Sequence, residues 1–251
     1  MQNMSIMKNN YLSGLDQIEN LNLDKLTKLI DSLLHKNEVF YLPIINKILS
    51  KNYNLNEIVT KIINDDKAFY DVLDNSYKHE NGFHKLVLLS GKSFKLRMHV
   101  FGRADEVPME NVHDHRWNFS SSIIKGSLKM EMYEINDNKG ISLFHYKYNS
   151  NKSENSYQVD YLGKKRVNLK KLRVYSEGDS YFMQTNEFHR ITNKKNEECI
   201  TLIMTGNPIS NECNLLSKNE FNLKENILNK YEEYELRNLL MTLIVNHKNA
   251  A

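Results

Sequence analysis

Apolar side chains along the first third of the chain recur at helical intervals. Leu15, Ile18 and Leu21 are followed by Leu26, Leu29, Ile30, Leu33 and Leu34, then by Ile45, Ile48 and Leu49. A further stripe runs through Ile58, Val59, Ile62, Ile63, Phe69, Val72 and Leu73, so residues 1–76 read as helical. Pro43, after Phe40-Tyr41-Leu42, marks a helix break or a helix start. Amphipathic stripes of this kind need another surface on which to bury, and the next segment is the expected one.

From Gly82 the period falls to two. The runs 83–89 and 94–101 flank Ser90-Gly91-Lys92-Ser93, a hairpin signal. In the second run Phe94, Leu96, Met98 and Val100 share one face, and Arg97 and His99 share the other. Further strand-like runs cover 119–125, 127–135, 142–148, 157–161, 167–174, 180–183 and 199–205, and the polar stretch 149–156 reads as an exposed hairpin loop. From 218 to about 247 the helical period returns, with Leu223, Ile227, Leu228, Tyr231, Leu236, Leu239, Leu240 and Leu243 as its apolar positions. This pattern predicts an antiparallel sandwich or barrel over 81–210, a helical region over 1–80 and a helical extension over 211–251.

Composition narrows the class. With 40% hydrophobic and 26% charged residues among 251, the chain is globular in type. Lys+Arg 34 against Asp+Glu 31 leaves no cationic footprint for nucleic acid. Two cysteines cannot build a disulfide framework or, alone, a structural zinc site. The opening MQNMSIMKNN lacks a signal-like apolar run, and no apolar stretch approaches the ~18 residues of a membrane span, so a soluble cytoplasmic protein is expected. Phosphate-binding glycine loops, nucleophile elbows and His-Glu-X-X-His helices are missing from the sequence.

The candidate chemistry centres on His113-Asp114-His115. On a strand, an i, i+2 pair points both imidazoles to one face, where they can share a metal ion. The same parity turns Trp117, Phe119 and Ser121 inward and Asp114 and Arg116 away. Trp117 and Phe119 are then candidate pocket walls. Arg97 is the better carboxylate clamp, with His99 beside it, and Tyr133 and Tyr181 are candidate hydroxyl donors. Asp179 reads as a turn former, Cys199 and Cys213 as inert, and His35, His79, His84, His145 and His247 as surface or structural residues.

Residues 177–193 resemble the second sequence motif of the cupin superfamily, with Gly178, His189 and Asn193 at the matching offsets. Gln184 stands where the family prefers Pro, and Asn186 where it prefers Gly. Asparagine enters the left-handed backbone region more readily than most residues. His113, His115 and Gly126 fit the first motif, but Phe119 replaces its glutamate ligand and Val107 its leading glycine. The resemblance spans residues 83–206 and implies a mainly β, double-stranded β-helix (a jelly-roll barrel), with helices at both ends.

It further implies a three-histidine site of His113, His115 and His189, similar to the thiol dioxygenase branch of cupins, cysteine dioxygenase and relatives. Fe(II) is the implied metal, with Zn, Ni and Mn as alternatives. The implied activity is an O2-dependent oxygenation of a small polar, amino-acid-like metabolite. Two other readings stay open. One is a metal-dependent enzyme without O2 chemistry, an isomerase, a lyase or a catalyst that rearranges an N-hydroxylated amino-acid conjugate, whose terminal helices dock a partner enzyme. The other is a non-catalytic ligand-binding cupin. The resemblance also implies a homodimer.

Overall fold

The computed structural model describes residues 15, 18–79, 81–102, 110–136, 138–151, 156–193, 197–220 and 226–248. Among the described residues, a 3-10 turn at Ile18–Asn20 precedes four α-helices: α1 (Leu23–Lys36), α2 (Glu38–Leu49), α3 (Asn52–Asn64) and α4 (Asp66–Asn75). Asn22, Asn37 and Asp65 cap three of them, each side chain accepting a backbone N–H three residues on. Pro43 neither starts nor breaks a helix. Asn37 sets the start of α2 upstream, and Pro43 lies inside it, where burial of Leu42, Ile45 and Leu49 outweighs one missing backbone bond.

Thirteen antiparallel strands follow: β1 (Tyr77–His79), β2 (Phe83–Ser90), β3 (Lys95–Phe101), β4 (Val112–His113), β5 (Phe119–Ile135), β6 (Ile141–Asn151), β7 (Ser156–Ser176), β8 (Ser180–Met183), β9 (Phe188–Ile191), β10 (Cys199–Thr205), β11 (Glu212–Ser217), β12 (Asn226–Ile227) and β13 (Asn229–Lys230). Helix α5 (Glu233–Lys248) closes the chain. One sheet runs β13-β1-β2-β3-β10-β5-β8. The other runs β12-β7-β6-β11-β4-β9-β5 and closes on itself where β5 pairs with β7. The long strand β5 belongs to both, its first half pairing with β10 and β8 and its second with β9 and β7. This is the expected mainly β jelly roll with helices at both ends.

The first sheet sorts its side chains by parity. Leu96, Met98, Val100, Ile200, Leu202 and Met204 join the helices' Leu26, Ile30, Ile45, Ile58 and Phe69 in one buried cluster. Asn46 of α2 crosses that interface and donates to Ser122 Oγ at 3.0 Å and to the Leu202 carbonyl at 3.3 Å. The opposite face carries Arg97, His99, Thr201, Ile203, Thr205 and Phe119, which line the interior between the sheets. Parity then reverses within β5. The pairing with β10 slips between Ile123, opposite Thr201, and Lys125, opposite Ile200, at a kink just before Gly126 (φ +76°), so that Ile123 before it and Leu128 and Met130 after it enter the same cluster. A Cβ there would lie 2.1 Å from the Glu198 carbonyl oxygen.

Several boundaries differ from expectation. The runs 157–161 and 167–174 are one strand, β7, accommodated by a register shift opposite His145/Tyr146 near Gly163. The 90–93 hairpin forms as expected, with Asp31 of α1 accepting both Lys92 N and Ser93 N. Residues 152–155 of the expected 149–156 loop, and Val107, lie outside the described residues. Among the described residues of the C-terminal stretch, helix begins only at Glu233: β11 pairs with β4 and β6, β12 with β7 and β13 with β1. Backbone pairing with distant strands overrides the local helical spacing there. Among the described residues no helix is long and apolar enough to cross a membrane.

Candidate metal centre

His113 ends β4 and lies directly opposite His189 of β9. His115 follows in irregular backbone, anchored where its N–H donates to the Thr185 carbonyl at 3.2 Å. The three imidazoles form a near-equilateral set, with ring centroids 4.6 Å (His113–His189), 4.8 Å (His113–His115) and 5.0 Å (His115–His189) apart. One ligand nitrogen from each falls within 4.8 Å of the others.

These residues fit a metal ion. His113 Nδ1 sits 2.9 Å from the Asn111 carbonyl, a contact that places its proton on Nδ1 and leaves Nε2 as a lone-pair donor. His115 Nε2 and His189 Nδ1 are buried without a hydrogen bond, a state that costs free energy unless something else engages the rings. Burial, reinforced by His113, holds both well below the ordinary histidine pKa, and the backbone of Glu187 offsets a little of this at His189. Neutral imidazole is the form that ligates. Phe119, at the position of the cupin motif's glutamate ligand, packs edge-on against His115 at 4.7 Å, so no carboxylate enters the set from there.

The triad opens into a cavity of about 810 Å³. Arg97, His99, Trp117, Phe119 and Tyr181 all line it. Tyr133 does not. The parity reversal before Gly126 puts it on the other side of β5, among Val112, Leu143, Val167, Phe188 and Leu216, where its hydroxyl donates to Glu131 Oε2 at 2.5 Å. Tyr181, part-buried in the cavity wall, has its pKa pushed far up by desolvation and stacks on Tyr175 at 4.5 Å.

Arg116 also lines the cavity, against the strand-parity expectation. Residues 114–118 are not a strand, so alternation does not govern them. The guanidinium groups of Arg97 and Arg116 lie 4.6 Å and 4.8 Å from the Trp117 ring. Sequence reasoning also passed over Lys85 and Glu110. Lys85 was legible in principle: Leu86 and Leu88 face the helices, which turns Lys85 to the same side as Arg97 and His99. Its Nζ donates to Tyr77 Oη at 2.7 Å. Glu110 accepts the Ile191 N–H at 2.5 Å, and burial raises its pKa.

Other residues have structural work. Asp114 accepts from Asn214 N and Nδ2, both at 2.6 Å, and no imidazole donates to it. Asn193 ties β9 to β5, accepting from Lys129 N at 2.8 Å and donating to the Ser127 carbonyl at 2.6 Å. Asp179 closes its turn by accepting Ser176 N at 2.8 Å. Burial pushes the thiols of Cys199 and Cys213 up to about 12 and about 11, which removes thiolate reactivity at neutral pH. His145 is buried beside Asn214 Oδ1 at 2.9 Å, His35 is exposed, and His79 and His84 line the cavity.

No family model matches this chain, and no curated protein does. Among solved structures it is similar to an RmlC-like cupin from Shewanella frigidimarina, at 14% identity over 52% of this chain and 81% of that one, TM-score 0.31. It is also similar to KdgF from Halomonas sp., at 11% identity over 52% and 86%, TM-score 0.32. A third likeness is to hydroxypropylphosphonic acid epoxidase from S. wedmorenis, at 14% over 52% and 53%, TM-score 0.31. At this level of similarity none of them carries an argument for this chain, and the reading that follows rests on its own residues.

Proposed function

We propose that this protein is a metal-dependent enzyme of cupin type that holds mononuclear Fe(II) on His113, His115 and His189 and acts with O2 on a small, polar, amino-acid-like metabolite. The observation that carries the reading is the convergence of three imidazoles, that of His189 buried and those of His113 and His115 part-buried, at the wall of a large cavity. A bound Fe(II) would supply open coordination positions and one-electron chemistry toward O2. The chain's own part is to present three neutral donors, to fix the His113 tautomer through Asn111, and to shield the centre with Phe119 and Tyr181. Three neutral ligands leave a divalent charge uncompensated by protein, which favours an anionic chelating substrate over a neutral one.

The test is metal content by elemental mass spectrometry on protein purified without chelators, followed by O2-uptake screening against amino acids and their conjugates. About one iron per chain with substrate-dependent O2 consumption supports the proposal. Stoichiometric zinc or nickel with turnover that survives anaerobic conditions would replace it by the non-oxidative enzyme. A protein with no bound metal would leave a ligand-binding module.

A further inference from the structure

On the cavity wall formed by β2 and β3, Lys85 and Arg97 form no ion pair with a carboxylate among the described residues. Arg97, on β3, is buried, its Nε has no hydrogen-bond partner, and its guanidinium lies 4.6 Å from the Trp117 ring. Lys85 is directed to the same face of the sheet, and its ammonium meets the Tyr77 hydroxyl rather than a carboxylate. His99 pairs in register with Lys85 on one side and Thr201 on the other, and both His99 Nε2 and Thr201 Oγ1 are buried without partners. Cations without a counter-anion, beside buried polar atoms without partners, form a costly surface unless a ligand completes it.

We propose that Lys85 and Arg97, flanked by His99 and Thr201, form a subsite for the oxyanion end of the substrate, a phosphoryl group or a second carboxylate. The inference rests on the proposed function only in taking this cavity as the substrate site. Two steps separate the subsite from the triad: 4.6 Å from the Arg97 guanidinium to the indole of Trp117, and 6.3 Å from that indole to the His115 ring. A substrate anchored here by its charged end therefore reaches the metal centre with its other end. Arg116, 4.8 Å from the same indole, adds positive potential from across Trp117. The guanidinium fork suits an oxyanion's paired oxygens, and the ammonium supplies a compact second charge.

Trp117 is the sole tryptophan of the chain and reports on the subsite directly. Metal-free protein is titrated with inorganic phosphate, with succinate and with acetate while tryptophan emission is followed, and calorimetry checks each affinity. Saturable binding of phosphate or succinate is expected, with acetate at least about tenfold weaker because it satisfies one cation. Lys85→Met and Arg97→Met should each weaken binding by about tenfold or more, and the charge-preserving Lys85→Arg and Arg97→Lys should retain most of it. Should a Met variant fail to fold, the wild-type titration repeated at rising salt decides, since an ion-paired ligand must weaken with ionic strength. Phosphate alone would assign a phosphoryl group, and succinate alone a dicarboxylate. No saturable signal or heat in the wild type, or unchanged affinity in both Met variants, overturns the subsite. The titration uses metal-free protein, so failure of the metal reading leaves this result standing.

Discussion

His113 and His189 are direct partners across the β4–β9 strand pair, with their rings 4.6 Å apart. Backbone pairing thus fixes two of the three candidate ligands before any metal arrives. A slip of one residue in β9 would turn His189 to the opposite face. Met132 of β5 holds β9 from its other side, opposite His189, and so locks that register.

Replacing His189 or His115 by Ala should therefore abolish metal retention while leaving the fold intact. The expected fall in affinity exceeds the roughly 10–100-fold that follows loss of an outer-shell partner. Elemental analysis together with circular dichroism checks it. A folded His189→Ala protein with full metal content would sink the assignment.

Tyr133→Phe separates the cavity from the small cluster behind β5. The hydroxyl donates only to Glu131 in the structure, and the ring packs on Val112 and Phe188. The variant should lose about 1 kcal/mol of stability or less and keep both metal content and turnover. A turnover defect larger than a few-fold would place the hydroxyl in the chemistry after all.

The contrast between Tyr133 and Arg97 shows how far the sequence could be read. Strict alternation along 94–101 holds because β3 is regular between β2 and β10, so the sides assigned to Arg97 and His99 are those the structure has. The same rule applied along β5 fails at Tyr133 because the register slip between Ile123 and Lys125, at the kink before Gly126, reverses the parity in between, and it fails at Arg116 because the chain from 114 to 118 is not a strand. His113, His115 and His189 were legible as a set because their spacing carries chemistry independent of exact strand limits. The strand at Glu212–Ser217 was not, since only its distant partners in β4 and β6 define it. Lys85 was missed because a lysine in an alternating run reads as solvent-facing until a second layer is known to cover it.

Gly126→Ala tests that kink. The residue would hold an alanine at φ +76°, with its Cβ 2.1 Å from the Glu198 carbonyl oxygen. Backbone strain and a clash with backbone rather than a flexible side chain should together cost about 3 kcal/mol or more. The urea midpoint measures this. A midpoint within a few tenths of a kcal/mol of wild type would show that β5 can relax without the glycine.

Asn46→Ala should destabilise the helix–sheet interface by about 1–3 kcal/mol, because it removes buried hydrogen bonds to Ser122 and the Leu202 carbonyl and opens space in the core. Asn46 Oδ1 already lacks a partner, so part of the amide's burial cost is relieved by the same change and the loss should fall at the lower end. Equilibrium denaturation of the metal-free protein gives the value, and an unchanged free energy would mean that the bonds merely offset the cost of burying the amide.

The metal-free protein should lose stability as pH falls from 7.5 to 5.5. Burial first, and then neighbouring cations, hold His79 and His99 well below the ordinary histidine pKa in the folded state. Above pH ~6.5 both are neutral whether folded or not, and they contribute no slope. Below it the unfolded chain takes up protons that the folded chain refuses, so unfolding gains up to about 1.4 kcal/mol per pH unit for each histidine. Glu110 and Asp114 act oppositely, because burial raises their pKa values and the folded state binds protons first, but their influence begins toward the acidic end of the range. Urea midpoints at the two pH values, with chelator present, give the slope. Replacing His79 and His99 together by Gln should reduce it, the remainder coming from His115, His189 and His145, which burial also holds below the ordinary histidine range, and an equally steep slope in that double variant would assign the acid sensitivity to those other groups.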